Sequence, residues 1–283
     1  QIHKHLASPK LTRLLYPKAM VSRPAPKQLL RVLVMFLPFL LPGDVLVAPL
    51  TRLPSTSSSS EVTKVLKRDG VVVLEALSDA KTVRTAFQEL ENGRMADGQS
   101  VRFGDSTQLL KRPLDPVQEP ALTKLANDPL ILAAAELARQ EHGEGSHHSI
   151  AWEVRLLILS SGMPEGDLHR DVVDTSRIPL KRPLQWGLNT IWPVDDFTND
   201  NGATRFVPGS HSGAMAQGHW LGTHTEALTS AMAATMAAGS VVVYYASTLH
   251  GSGENLSPGA RTGLNFNYAF VDEAGARPFD WGY

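Results

Sequence analysis

The chain has 283 residues, of which 42% are apolar and 19% are charged. This composition is that of an ordinary globular protein, and it excludes a fibrous or wholly disordered chain. Cysteine is absent, which excludes disulfides, cysteine-ligated zinc, iron–sulfur clusters and a thiol nucleophile. The net charge of −1 provides no basic field for a nucleic acid, so none is expected as a partner.

The basic charge is concentrated at the start of the chain. Residues 1–60 hold eight Lys or Arg against the single acid Asp44, a net charge of +7, whereas the rest of the chain carries −8. The apolar stretch 29–50 is interrupted by prolines and charges. The apolar run 32–42, which lies between the charged residues Arg31 and Asp44 and itself contains two prolines, is far shorter than the roughly 20 residues of a membrane-spanning helix. We therefore expect residues 1–50 not to span a membrane.

Three roles remain open for this basic segment: a removable or membrane-surface leader, a contact with a partner or a second copy, and an extension that wraps the rest of the fold. The Ser-rich residues 54–60 predict a flexible linker. We therefore predict an extension with its linker over residues 1–60 and a folded domain over residues 61–283. The expected compartment is the cytoplasm, with targeting and oligomer formation left open.

The first half of this domain predicts helices around one β-branched strand. The expected elements are a helix capped by Ser60 that runs through Arg68 and is ended by Gly70, a strand over 71–77, a helix over 79–92 capped by Ser78, and a helix over 129–140. The stretch 94–119 is expected to be irregular.

The second half is rich in short strands separated by Gly, Pro, Asn and Asp. The expected strands cover residues 151–160, 185–194, 203–207, 240–246 and 261–271. In the last strand, Leu264, Phe266, Tyr268 and Phe270 alternate with Asn265 and Asn267 and predict one apolar face. Long helices do not alternate with these strands, so we predict a mainly β fold with flanking helices, a jelly roll or barrel.

His169 and Asp171 offer an imidazole and a carboxylate two positions apart. In an extended chain alternate side chains point to the same side, so both can reach one metal ion. His250, just after the strand 240–246, offers a third ligand. Two imidazoles and one carboxylate on one face of an octahedral ion form the facial triad of non-haem Fe(II) oxygenases, which leaves three positions open. Arg261, which opens the next strand, can present two parallel donors to a carboxylate.

This order of residues resembles the phytanoyl-CoA dioxygenase-like family of Fe(II)- and 2-oxoglutarate-dependent oxygenases. The resemblance rests on His169-x-Asp171, on residues 201–211 (NGATRFVPGSH), on residues 239–243 (GSVVV) leading to His250, and on Arg261. It extends over about residues 61–271.

The resemblance implies a double-stranded β-helix, or jelly roll, as the fold. It implies that His169, Asp171 and His250 hold Fe(II). It further implies that 2-oxoglutarate chelates this iron, that Arg261 binds the distal carboxylate of 2-oxoglutarate, and that O2 takes the remaining position. Thr204, from its place in the motif, is expected to help hold the cosubstrate.

The implied activity is oxidation of a small or medium organic metabolite of secondary metabolism, with release of succinate and CO2. Hydroxylation, desaturation and ring formation are all open. Asp171 disfavours halogenation, because related halogenases lack this carboxylate so that a halide can bind iron. Asp167 stands where many relatives have a Gln that contacts 2-oxoglutarate, and we do not expect Asp167 to bind the cosubstrate.

An alternative function remains at this point. The same His/Asp/His site can belong to a jelly-roll metal-binding module or a cupin-like lyase or isomerase that works without 2-oxoglutarate. Arg261 favours the oxygenase, because the alternative has no need of a carboxylate anchor.

Several other residues are expected to lie outside the site. We expect His211 to be a structural hydrogen-bonding residue, His147 and His148 to lie in a solvated turn, and Trp186 and Trp192 to lie in the core. The segments expected to form the walls of the substrate pocket are residues 94–119, 172–184 and 212–238.

Overall fold

The computed structural model describes residues 49–97, 101–103, 107–110, 114–141, 148–171, 187–212 and 229–271. They belong to a compact unit that begins at Val47. The extension up to residue 48, His147, Trp186, the loop 172–184 and most of the segment 212–238 lie outside the described residues. Within the described ranges, no helix combines the length and apolarity needed to cross a membrane.

The described residues form four helices. They are α1 (Ser59–Asp69), α2 (Ala80–Asp97), α3 (Pro120–Ala126) and α4 (Pro129–Glu141). The N-cap of helix α1 is Ser58, two residues before the predicted cap Ser60. Ser58 and Glu61 form a capping box, in which each side chain accepts a hydrogen bond from the main-chain amide of the other. Gly70 ends α1 in the left-handed conformation, with φ of 76°, as glycine commonly does after a helix.

The described residues also form eleven strands. They are β1 (Arg52–Pro54), β2 (Val71–Glu75), β3 (Val101–Phe103), β4 (Thr107–Leu110), β5 (His148–Leu159), β6 (Leu188–Pro193), β7 (Arg205–Phe206), β8 (Met232–Ala233), β9 (Val241–Tyr245), β10 (His250–Gly251) and β11 (Arg261–Val271). Eight strands form a large sheet in the order β1-β2-β9-β6-β11-β5-β4-β3, and a small sheet has the order β10-β7-β8. The predicted mainly β fold with flanking helices is confirmed.

The prediction was wrong for part of the stretch 94–119. Helix α2 continues to Asp97, and β3 and β4 pair as an antiparallel hairpin, with Phe103 opposite Thr107. Helix α3 was also not predicted. Elements of three to seven residues contain too few positions for a periodic pattern to emerge, so sequence analysis overlooks them.

The large sheet has an apolar core on each of its faces. On one face Val72 and Val243 pack in a core with the helices, which confirms that the helices lie against one sheet. On the other face Val73 and Val242 pack in a core with Phe206 of the small sheet. Because successive strand residues point to opposite faces, β2 and β9 supply both cores, and all their residues are buried except the exposed Glu75 at the end of β2.

Strand β11 has the two different faces that its alternation predicts. Leu264, Phe266 and Tyr268 are buried in the core with the helices, and Trp192 of β6 joins them there as predicted. The Tyr268 hydroxyl donates to the carbonyl of Ala126 in α3 at 3.0 Å. Asn265 points away from this core, toward the face of the large sheet that packs against the small sheet. We call this the inner face, and in β11 it is polar at Asn265.

Residues 54–60 are part of the fold and not a flexible linker. Strand β1 pairs in parallel with β2, and the Thr51 hydroxyl donates to the Asp69 carboxylate at 2.8 Å. Leu50 is buried in the core that Val73 and Val242 form with Phe206 of the small sheet. Serine is common in linkers, but its hydroxyl also accepts from helix amides. Here Ser58 begins α1, and the folded unit extends at least to residue 49.

We expect a chain that begins at Val47 to retain the thermal stability of the described unit and a chain that begins at Ser58 to lose part of it. The shorter chain lacks β1 and Leu50, and burial of one leucine contributes about 1.5–3 kcal/mol. Thermal unfolding of both truncated proteins measures the difference. Equal midpoints would show that β1 does not contribute to stability.

Candidate metal centre

His169 and His250 are 81 positions apart in the sequence but lie side by side. The amide of each donates to the carbonyl of the other, at 2.8 and 2.9 Å, and the ring centroids are 4.5 Å apart. The Asp171 amide donates to the carbonyl of Ala246 at 2.9 Å. The chain over residues 169–171 is therefore extended along the segment that leads to His250, as the His-x-Asp spacing requires.

Arg170, between the first two ligands, holds this segment in place. Its side chain is buried, and its Nη1 donates to the carbonyls of Ser210 and Ser247. Burial lowers the pKa of Arg170 to about 10, so the guanidinium stays charged near neutral pH. This side chain points away from the ligands and connects their segment to the loop before His250.

The candidate ligand atoms of His169, Asp171 and His250 lie within 4.8 Å of one another. His250 Nε2 is 3.5 Å from Asp171 Oδ2, and His169 Nε2 is 3.9 Å from Asp171 Oδ1. Each imidazole is oriented through its Nδ1, which lies 3.0 Å from the Asp167 carbonyl in His169 and 2.9 Å from the Thr248 carbonyl in His250. A carbonyl accepts only from Nδ1–H, so both Nε2 atoms keep a lone pair for a metal.

The charge states of these side chains suit a metal ion. Burial lowers the pKa of His250 to about 4, which keeps its ring neutral near pH 7. Burial by itself would raise the pKa of Asp171, but the nearby His250 and His169 outweigh it and the pKa lies below its ordinary value. A neutral imidazole and an ionised carboxylate are the forms that bind metals.

The three side chains line a cavity of about 210 Å³. Its polar lining also includes Arg155, Thr204, Ser252, Arg261 and Asn265, and its apolar lining includes Leu157, Ile158, Leu159 and Ile191. All five residues predicted for the site, including Arg261 and Thr204, therefore face one cavity.

Arg261 is almost fully buried, with 3% of its surface exposed. Its Nη2 donates to the Gly202 carbonyl at 2.8 Å, its guanidinium lies 4.5 Å from the centre of the Phe197 ring, and its buried Nε has no hydrogen-bond partner. Burial lowers the pKa of Arg261 to about 10, and no carboxylate in the described part of the chain offsets this loss. A buried cation without a counter-charge is unfavourable. The arrangement suits an anionic ligand.

The motif that begins at Asn201 brings Thr204 to the cavity. Gly202 has a φ of 76°, and a Cβ there would lie 2.5 Å from Leu159 Cδ2 and 2.7 Å from the Gly253 carbonyl. Only glycine fits this conformation and space. The chain can then turn so that the Gly202 carbonyl accepts from Arg261, while Thr204 is buried with 5% exposure.

Sequence analysis missed two residues that contact Asp171. Asn189 of β6 and Tyr244 of β9 both donate to Asp171 Oδ2, the tyrosine hydroxyl at 3.3 Å. Burial and the nearby Asp171 raise the pKa of Tyr244 well above its ordinary value, so its hydroxyl remains a donor. A polar residue inside the buried strand β6 was the available signal for Asn189.

Two residues singled out in the sequence lie apart from the cavity lining. Asp167 has an exposed side chain, and only its carbonyl contacts the centre, through His169. His211 is fully buried, and its Nε2 lies 3.0 Å from the Lys67 carbonyl. The prediction that His211 is a structural hydrogen-bonding residue is confirmed.

The sequence profile of the family described as phytanoyl-CoA dioxygenase (PhyH) matches residues 66–263. The chain belongs to this family. The predicted enzyme class, a 2-oxoglutarate-dependent non-haem iron dioxygenase that uses iron and 2-oxoglutarate, is thereby confirmed.

Relatives agree with this membership, and a solved structure is similar in fold. Dioxygenase cdmA of Talaromyces verruculosus is 30% identical over 238 residues, which cover 79% of this chain and 76% of that protein. The Fe(II)/2-oxoglutarate-dependent dioxygenase nvfF of Aspergillus novofumigatus is 28% identical over 173 residues, 56% of each chain. The crystal structure of the epimerase SnoN in complex with Fe3+, alpha ketoglutarate and nogalamycin RO has a TM-score of 0.55 and 21% identity, and the match covers 80% of this chain and 87% of that chain. At this identity the structural likeness concerns the fold alone.

Replacement of His169, Asp171 or His250 by Ala is expected to abolish turnover and weaken Fe(II) binding strongly, because each variant lacks one of the three candidate ligand side chains. The fold should persist, since the ligands line a cavity. Anaerobic Fe(II) titration with thermal unfolding in parallel measures both effects. Asp167→Ala is the matched control and should bind Fe(II) like the wild type, because only its carbonyl contacts the centre. Wild-type affinity in any of the three ligand variants would contradict the assignment.

Proposed function

We propose that this protein oxidises a small or medium organic metabolite by hydroxylation, desaturation or ring formation, with release of succinate and CO2. The observation that supports this most directly is one cavity lined by both the His169, Asp171 and His250 cluster and the buried cation Arg261. A metal site and a carboxylate site in one small space are what a metal-chelating dicarboxylate cosubstrate requires.

We also propose that the two sheets form the double-stranded β-helix. The inner face of the large sheet shares one apolar core with Phe206 of β7 and Met232 of β8. Two sheets packed face to face with a ligand site between them are typical of the jelly roll. The small sheet holds His250 in β10, and the large sheet holds Arg261 in β11.

The donor set fits Fe(II). His169, Asp171 and His250 would hold the ion through two neutral imidazoles and one carboxylate, the ligand set of non-haem iron oxygenases. When bound, iron with O2 and 2-oxoglutarate supplies the oxidising power for an unactivated C–H bond. The protein orients the reactants and limits access of water to the cavity through Leu157, Leu159 and Ile191.

Arg261 and Thr204 would bind the cosubstrate. The unpartnered Nε of Arg261 supports this role, because a buried donor without a partner costs free energy that a bound carboxylate offsets. Thr204 lines the same cavity and can donate its hydroxyl to an oxygen of 2-oxoglutarate. The loop 172–184, which we expect to wall the substrate pocket, lies outside the described residues.

Succinate formation should require both Fe(II) and 2-oxoglutarate, which the cupin-like alternative does not predict. In Arg261→Ala we expect the KM for 2-oxoglutarate to rise more than about tenfold, because a buried charge-assisted pair is lost. Arg261→Lys should restore only part of the affinity, since lysine lacks the two parallel donors. The control is Arg52→Ala, which removes an exposed guanidinium paired with Glu75. An unchanged KM in Arg261→Ala would place the cosubstrate anchor elsewhere.

The product of any substrate found by a screen for 2-oxoglutarate consumption should gain one oxygen or lose two hydrogens. With Asp171 as a ligand, iron has no position for chloride beside 2-oxoglutarate and O2, so the result should hold in excess chloride. Mass spectrometry with succinate quantification measures product and coupling, with one succinate expected per event. A chlorinated product, or an isomer formed without 2-oxoglutarate, would contradict the proposal.

A further inference from the structure

The two oxygens of Asp171 have different surroundings. Oδ2 accepts hydrogen bonds from Asn189 Nδ2 and from the Tyr244 hydroxyl. Oδ1 lies 3.9 Å from His169 Nε2, and no donor among the described residues forms a hydrogen bond with it. A carboxylate oxygen has two lone pairs, so the pair of donors saturates Oδ2 and leaves Oδ1 available as a ligand atom.

The two donors are rigidly held. Asn189 and Tyr244 are directly opposite each other in the pairing of β6 with β9, and each is only 2% exposed. The Tyr244 ring packs between Phe206, at 4.9 Å, and His250, at 4.8 Å between ring centroids. Asn265 donates to the Thr190 carbonyl at 2.9 Å, and its Nδ2 lies 3.5 Å from the Tyr244 hydroxyl. Neither donor can swing away without disturbing the sheet.

We propose that Asn189 and Tyr244 are positioning residues that restrict Asp171 to one-oxygen ligation of iron; this rests on the proposed function. An octahedral ion bound by two imidazoles and one carboxylate oxygen keeps three open positions. A carboxylate that chelates through both oxygens takes one of these, and 2-oxoglutarate with O2 then lacks room. By occupying Oδ2, the two donors preserve the third position.

The test uses the full chain with Tyr244→Phe, Asn189→Ala and the double variant. Each is loaded with Fe(II) without oxygen and titrated with 2-oxoglutarate, and the visible charge-transfer band that arises when 2-oxoglutarate chelates Fe(II) is followed. We expect Fe(II) affinity to be kept or increased, because Oδ2 becomes free to join the ion. The band should still form, because two positions remain for 2-oxoglutarate. When O2 is then admitted, the decay of the band should be slower than in the wild type by about tenfold or more, the size expected when hydrogen bonds to a charged group are lost.

Tyr245→Phe is the matched control. It removes the hydroxyl of the next residue of β9, which lies in the core with the helices, and it should leave the charge-transfer titration unchanged. Thermal unfolding verifies that each variant folds. Tyr244→Phe keeps the packed ring, and it decides the question by itself if Asn189→Ala does not fold.

Two results would overturn the inference. A wild-type decay rate of the band under O2 in the variants would show that the donors do not restrict ligation. Loss of Fe(II) affinity as large as in Asp171→Ala would show that they only keep the carboxylate in place. If the wild type itself forms no charge-transfer band with Fe(II) and 2-oxoglutarate, the proposed function fails, and the inference with it. A band present in the wild type, with the same decay under O2 in the variants, rejects the inference alone.

Discussion

The centre depends on two main-chain hydrogen bonds, those that join His169 to His250. Closing a loop of this length costs chain entropy, and side chains alone would not fix the ligand positions. The bond from Asp171 to Ala246 and the contact of Arg170 with Ser247 extend the same junction. Because the main chain makes these contacts, the positions of the three candidate ligands are set by backbone pairing.

This pairing requires close approach of the backbones. A Cβ at Gly251, directly after the last candidate ligand, would lie 2.7 Å from the Asp167 carbonyl. That same carbonyl orients the His169 ring. A side chain at position 251 would therefore push apart the two segments that the centre needs together, and glycine at this position serves the geometry of the site and not chain flexibility.

Two buried arginines, Arg170 and Arg261, differ in their hydrogen-bond partners. Those of Arg170 are typical of a structural role, and those of Arg261 suit the binding of a ligand. Burial lowers the pKa of both Arg170 and Arg261 to about 10, so both remain charged near neutral pH. Arg170 donates to two carbonyls and ties loops together. Arg261 donates to one carbonyl and lines the cavity. Burial and charge are alike in the two, and the hydrogen-bond partners distinguish them.

The amino-acid sequence determined the features that depend on local pattern. It predicted the span 261–271 of β11 and the existence of α4 from periodicity and composition. It also indicated His169, Asp171, His250 and Arg261 as candidate site residues, from spacing and family resemblance, and these residues line one cavity. The alternation in β11 also correctly separated the apolar face from the face with Asn265. Such patterns report the backbone repeat and the burial of one face, and both are properties of neighbouring residues.

The tertiary structure decided which residues meet across the fold. Asn189 and Tyr244 contact Asp171 only because β6 and β9 pair in one register, and a shift by one residue would turn both side chains to the opposite face. Ser58 caps a helix, although serine-rich composition suits a linker equally well. Register and long-range pairing depend on the packing of the whole sheet, so no local stretch of sequence specifies them.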